Sequence, residues 1–341
     1  MKKQTFNYVL IICLIILTTW IMIRSNELSE IPKLMGQTNK FFLLLGILSM
    51  FGFWISDALI INTTTKALNI RNNLLNSLRL TMIGQYYSAI TPFSTGGQPA
   101  QSYSMVNNSI PIGKATSVMV NKLLIRQISI TLYSITMFTL KVSFIYGKIK
   151  NVFLFILFGI ILNFIGLVII VFLFLNSTVI KRIIFTVLNL CRKIKIIKNV
   201  SKYEVKLNRY LNEYKENIEK IRENKLMSIK IGIITIIQLT FYFSITYFVY
   251  RALGFNSASL IDIISIQSLL YMAVSFIPTP GNVGVSEGGF YILFGSFFTK
   301  NVLLYAIILW RIIIYYFNLL VSGTVTLIDF LVQSKKKSAI S

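Results

Sequence analysis

Long apolar runs alternate with short polar turns along this chain, and their lengths predict helices that cross a membrane. Runs near the ~20 residues needed to cross a bilayer fall at about 6–23, 41–62, 116–146, 152–175, 229–250, 259–277, 285–299 and 302–330. The pattern is therefore that of an all-α, polytopic membrane protein with about eight spans. The first run has Lys2 and Lys3 before it and no small-residue cleavage site after it. It is expected to stay as a span and not to be removed as a signal peptide.

Two stretches break this regularity in the same way. Ser88-Ala89-Ile90-Thr91-Pro92 runs into STGGQPAQ, Ser94 to Gln101, and Ser275-Phe276-Ile277-Pro278 runs into TPGNVGVSEGG, Thr279 to Gly289. Proline lacks the N–H and glycine weakens the turn, so neither stretch continues a helix. Backbone groups freed at membrane depth survive only when buried in protein or lining a wet cavity. A matched pair of breaks in corresponding halves is the sequence pointer to a transporter's binding site. The stretch 80–105 is too short and polar to cross twice, which predicts a re-entrant hairpin. The chain then divides into a first membrane half, 1–175, with its break at 88–101; a loop, 176–228; a second half, 229–334, with its break at 277–289; and a basic tail, 335–341. Whether the halves run parallel or inverted is left open by the pattern.

The long loop carries fourteen Lys and Arg against five Glu between 176 and 230. Inside it, Leu207, Leu211, Tyr214, Ile218 and Ile221 recur at spacings of 4, 3, 4 and 3, an apolar stripe along one helix face. That predicts an interfacial helix on anionic headgroups, or else a lid or a partner-docking helix. Lys2, Lys3, Lys66, Arg71, Arg79 and Lys335 to Lys337 set the orientation: N- and C-termini in the cytoplasm. The turn at 147–150, with its two lysines, falls outside on that scheme.

Composition agrees. Hydrophobic residues make up 55% and charged residues 13% of the 341, and mean hydropathy is +0.71. The net charge of +23 does not argue for nucleic acid, because a basic cytoplasmic face is what the positive-inside rule and anionic lipid predict. Two cysteines, Cys13 and Cys191, make no disulfide framework. Histidine is absent, which removes the commonest metal ligand and the usual neutral-pH acid–base group. No metal or cofactor is expected, and no phosphate-binding loop motif occurs.

Substrate binding is assigned to the breaks and the charges near them. Gly96, Gly97, Gly281 and Gly284, with Pro278 and Pro280, open the backbone to close approach, and helix starts of that kind attract anions. Ser94, Thr95, Gln98, Gln101 and Asn282 add neutral hydrogen-bonding groups. The alternative is that the glycines serve close helix packing. Lys122, Arg126, Glu287 and Arg311 lie within or at the edge of spans, where charge is costly and faces the interior. Glu287 is expected to pair with Lys122 or Arg311 across the halves, for recognition or only as a structural ion pair. Asp57 and Asp329, near the cytoplasmic ends of spans, are read as hydrated.

TPFSTGGQPAQSY (91–103) and FIPTPGNVGVSEGGFY (276–291), with Trp310-Arg311 in the last span, resemble the lysylphosphatidylglycerol synthase transmembrane family, the flippase-like membrane region of the multiple peptide resistance factor. The resemblance covers nearly the whole chain. It implies eight main spans with re-entrant elements, and movement of a phospholipid such as aminoacylated phosphatidylglycerol between leaflets of a bacterial cytoplasmic membrane. Two-part members carry a soluble domain that moves lysine from lysyl-tRNA onto the lipid. This sequence ends at Ser341, just past the last predicted span, so that enzyme activity is not expected of it. Asn282, Gln98 and Gln101 depart from the glycine and basic residues of many relatives, which leaves lysyl lipid, glycolipid and polyprenyl-linked substrates open. The expected function is a lipid flippase whose partner is membrane phospholipid. The alternative is the membrane subunit of a lipid-modifying enzyme, completed by a separate soluble synthase or glycosyltransferase.

Overall fold

The computed structural model describes residues 31–149, 153–176, 201–275 and 277–338, with isolated positions between 178 and 189. The span expected at 6–23 and both cysteines lie outside the described residues. Within them the chain is helical, and five stretches are long and apolar enough to cross a bilayer: Lys40–Ala67, Ile112–Leu140, Ile156–Phe174, Lys225–Ala252 and Lys300–Ser334.

The bundle is apolar on its outer face and holds its polar side chains among apolar ones inside. On helix α2 (Lys40–Ala67, after the short α1, Ile31–Gln37), Phe41, Leu44, Leu48, Phe51 and Ile55 are exposed along one face. Ser49, Ser56, Asp57, Thr64 and Thr65 are buried on the other side. Without water outside, apolar side chains have nothing to gain by turning inward, and polar groups find their partners within the bundle.

The order of elements repeats. In the first half, α2 is followed by α3 (Leu74–Ile90), α4 (Gly97–Asn107) and α5 (Ile112–Leu140). After α6 (Val142–Ile149), α7 (Phe153–Leu175) and α8 (Ser201–Glu223), the second half brings α9 (Lys225–Ala252), α10 (Leu260–Val274), α11 (Val285–Phe294) and α12 (Lys300–Arg311). A π-helical turn, Ile312–Phe317, joins α12 to α13 (Asn318–Ser338). Even the caps correspond: Asn39 and Asn224 accept hydrogen bonds at the starts of α2 and α9, and Asn73 and Ser259 at the starts of α3 and α10. Each closes an end that would otherwise leave backbone donors bare.

The halves are inverted. Helices α2 and α9 make the largest helix pairing in the molecule and run antiparallel: the Asn39 N–H donates to the Ala252 carbonyl, Ser49 meets Ser244, and Gln238 reaches Asp57. Gly52 lets the Phe241 ring of α9 come close, and Gly46 admits the Ile313 side chain of the π-helical turn, as small residues do between membrane helices. Helix α3 packs on α13 of the other half, and α10 packs on α5. These reciprocal pairings relate the halves by a local two-fold axis perpendicular to α2 and α9. The question of parallel against inverted halves is thereby answered.

One expectation needs correction. The run 285–299 is not a span: its helix, α11, has ten residues, about 15 Å at 1.5 Å per residue, half of a hydrocarbon core. It pairs with α10 as the second arm of a hairpin, just as α4 pairs with α3. The loop helix α8 lays part of the apolar stripe read from the sequence against the bundle. Tyr214, Ile218 and Ile221 are buried in the cluster containing Ile61, Leu68 and Val118, and the Glu213 side chain crosses Gly113 of α5, where a Cβ would fall 2.6 Å away. Burial pushes the Tyr214 phenol up to about 12, so its hydroxyl stays protonated at neutral pH.

Candidate functional site

The two hairpin turns are built alike. Thr91-Pro92 ends α3, since the residue before a proline is pushed out of the α region; in the second hairpin α10 has already ended at Val274, and Thr279-Pro280 opens the turn. Two left-handed residues follow: Phe93 and Ser94 at φ 54° and 53°, Gly281 and Asn282 at φ 57° and 55°. In the first turn the Ser94 and Thr95 N–H groups return to the carbonyls of Thr91 and Pro92. In the second, Asn282 and Val283 do the same to Thr279 and Pro280. At Phe93 and Ser94 this conformation costs about 1–2 kcal/mol per residue, so the turn is held against its own preference. The two tips touch: Pro92 and Pro280 face each other in an isolated antiparallel bridge, and the Tyr315 hydroxyl reaches the Ala89 carbonyl at 3.4 Å.

Beside this junction lies a cavity of about 340 Å³. Both turns contribute to its wall, through Ser94, Thr95 and Gln98 on one side and Gly281, Asn282 and Ser286 on the other. Its charged side chains are Arg126 and Arg311.

Arg311 is fixed in place. Its Nε lies 2.6 Å from Glu287 Oε1 and its second nitrogen 2.8 Å from Oε2, a two-pronged pair, and that nitrogen also reaches the Asn282 carbonyl at 3.0 Å. Glu287 Oε2 further accepts the Gly284 N–H at 2.8 Å. The pair lies within the second half and does not bridge the two. Lys122 lies instead 2.6 Å from Asp57, which also accepts from Thr81 at 3.0 Å and Gln238 at 2.9 Å. Asp57 is 0% exposed, so the expectation of a hydrated aspartate at a span end is overturned. Arg126 hydrogen-bonds the Tyr271 hydroxyl at 3.1 Å and has no salt bridge among the described residues. An intramembrane cation costs about 2.5–3.5 kcal/mol on insertion scales, which makes Arg126 the charge most in need of an explanation.

The other sequence candidates divide. Gly96 and Gly97 are packing glycines: a Cβ at Gly97 would meet Ser88 Oγ and fall 2.6 Å from the Gly84 carbonyl. At Gly281 a Cβ would strike the Tyr315 ring, so that glycine serves both the turn and the junction. Gly284 faces open space at φ 84°, a conformation that itself calls for glycine. Gln101 bridges the Leu80 carbonyl and Lys122 behind the cavity. Pro280 forms the bridge, and Pro278 is exposed at the hairpin bend. Sequence reading passed over Gln127, Asn163, Gln267 and Tyr271 on the wall. Asn163 stands alone as a polar side chain in α7 and donates to the Met272 carbonyl at 2.9 Å, a backbone group at the end of α10. A lone amide in so apolar a run was the available signal. Trp310 Nε1, on the same wall, has no hydrogen-bond partner.

A family model described as the lysylphosphatidylglycerol synthase transmembrane region matches residues 8–322. No curated protein matches the chain.

Proposed function

This chain belongs to the lysylphosphatidylglycerol synthase transmembrane family, and from that premise we propose that it carries a phospholipid between the leaflets of a bacterial cytoplasmic membrane. One observation supports this most: a cavity with arginine on its wall lies between two equivalent helix breaks, inside a bundle whose outer face is apolar. The two hairpins are re-entrant and enter from opposite faces. A headgroup enters the cavity while its tails stay in lipid, and rocking of the inverted halves opens the site to each side in turn. Loops and ends near Lys66, Arg71, Arg79 and helix α8 form the cytoplasmic side. The test is flux of fluorescent phospholipids in vesicles holding the purified chain. Outward exposure faster than in protein-free vesicles is expected; no movement for any of several headgroups would sink the proposal.

One observation favours a second reading. Helix α8 is docked on α5 with Arg209, Lys215, Lys220 and Arg222 exposed among Glu216, Glu219 and Glu223, a fixed ridge of mixed charge fit to hold a soluble partner enzyme. Lysyl-lipid formation on adding a soluble synthase, in the absence of any flux, would select that role.

A further inference from the structure

Resting on the lipid-transport reading, we infer that the cavity selects a phospholipid with a bare anionic phosphodiester headgroup and excludes an aminoacylated one. The charged groups on its wall are both arginines, and no Asp or Glu lines it. The nearby carboxylates are already engaged: Glu287 by Arg311 and the Gly284 N–H, Asp57 by Lys122, Thr81 and Gln238. Two cation–carboxylate pairs therefore cancel, and Arg126 is left as the net charge of the site.

The neutral groups point the same way. A phosphodiester offers its free oxygens to Arg126 in charge-assisted bonds, and Ser94, Thr95 and Gln98 on the wall add neutral donors. A lysyl ester brings two ammonium groups, which need carboxylates or open aromatic faces. The faces beside Arg311 are taken: its guanidinium carbon lies 5.4 Å from the Trp310 ring centre and 5.2 Å from that of Tyr315.

A free anion such as inorganic phosphate shares this chemistry, and a neighbouring cavity argues for lipid. Leu123, one turn before Arg126, lines the polar cavity and also an apolar one of about 400 Å³. Val120, Ile170, Leu173, Phe174 and Leu211 wall the second space. A headgroup on Arg126 thus has an acyl chain's environment beside it.

The test is native mass spectrometry of the full chain in detergent with dioleoyl phosphatidylglycerol and lysyl-phosphatidylglycerol at equal concentration. Phosphatidylglycerol should be retained at least about tenfold better, the scale of one hydrogen bond to a charged group. R126Q should lower its retention about tenfold, and R126K should keep most of it. Equal or better retention of the lysyl lipid by the unaltered protein overturns the inference, as does unchanged retention in folded R126Q. Displacement of phosphatidylglycerol by millimolar inorganic phosphate would also overturn it, naming a soluble anion. Retention of phosphatidylglycerol without flux in vesicles would count against the carrier and leave the selectivity standing.

Discussion

Asp57 shows what a single buried charge requires. Its carboxylate has a cation and two neutral donors and no contact with water. Removing the charge alone, Asp57→Asn, leaves Lys122 buried without a counter-charge and should destabilise the fold by roughly 3–5 kcal/mol. Thermal unfolding in detergent checks this, and adding Lys122→Met should recover most of the loss; no recovery would mean that the pair is not the reason. The residue was visible in the sequence and its setting was not. Hydropathy ends the second apolar run near Asn62, while helix α2 continues to Ala67, and those extra residues carry Asp57 away from the interface. Glu287 and Arg311 were legible as charges and as one of two candidate pairs, but the choice of Arg311 over Lys122 and its further bond to the Asn282 carbonyl are set by packing, which no spacing reveals.

At the scale of elements, the breaks were legible and their architecture only partly so. Proline and glycine locate Thr91-Pro92 and Thr279-Pro280 without ambiguity. Residue counts alone made 285–299 a crossing, because hydropathy registers apolar length and not the direction taken after a turn. Packing decides the roles of the glycines. Gly97→Ala pushes against the Gly84 carbonyl and Ser88 and should cost about 1–3 kcal/mol through overpacking. Gly284→Ala meets open space and is limited to the backbone penalty of its sparsely populated conformation, about 1–3 kcal/mol. Melting curves of the two should therefore separate contact from conformation: a larger space-filling variant, Gly97→Leu, worsens the first strongly, and Gly284→Leu, unbranched at Cβ, adds little to the second.

On the whole-molecule scale, each end is tied across the halves by one ion pair. Arg79 of α3 meets Asp329 of α13 at 2.8 Å, and Lys141 after α5 meets Asp262 of α10 at 2.9 Å. Lys141 and Asp329 hold matching positions in the two halves, so the ties correspond with their charges reversed. Partly exposed pairs are worth about 1 kcal/mol or less, weak enough to open during the proposed transport. Burial raises the Asp262 carboxyl, but Lys141 and Ser259 outweigh it and hold it below its usual range. A lowered folded pKa means that this tie is whole above the ordinary carboxylate range and is lost only as pH falls through the folded value. Flux should then show no titration from Asp262 near neutral pH, and a neutral-pH step that vanishes in Asp262→Asn would contradict that. Cysteines at Arg79 and Asp329, in a background without Cys13 and Cys191, should stop flux when bridged by a short cleavable reagent and restore it on cleavage. Such ties were not legible, since their partners stand far apart in sequence. The inverted halves have one more consequence. Were the two halves identical, swapping their shapes would turn the molecule upside down into itself, and the inward- and outward-facing forms of the proposed carrier would be degenerate in free energy. Each mismatch lifts that degeneracy: Gly284 at φ 84° where Gly96 sits at φ −72°, and a π-helical turn after Arg311 with no counterpart in α5. About 1.4 kcal/mol gives a tenfold bias, so one such mismatch is enough to choose the leaflet that the proposed carrier would face when empty.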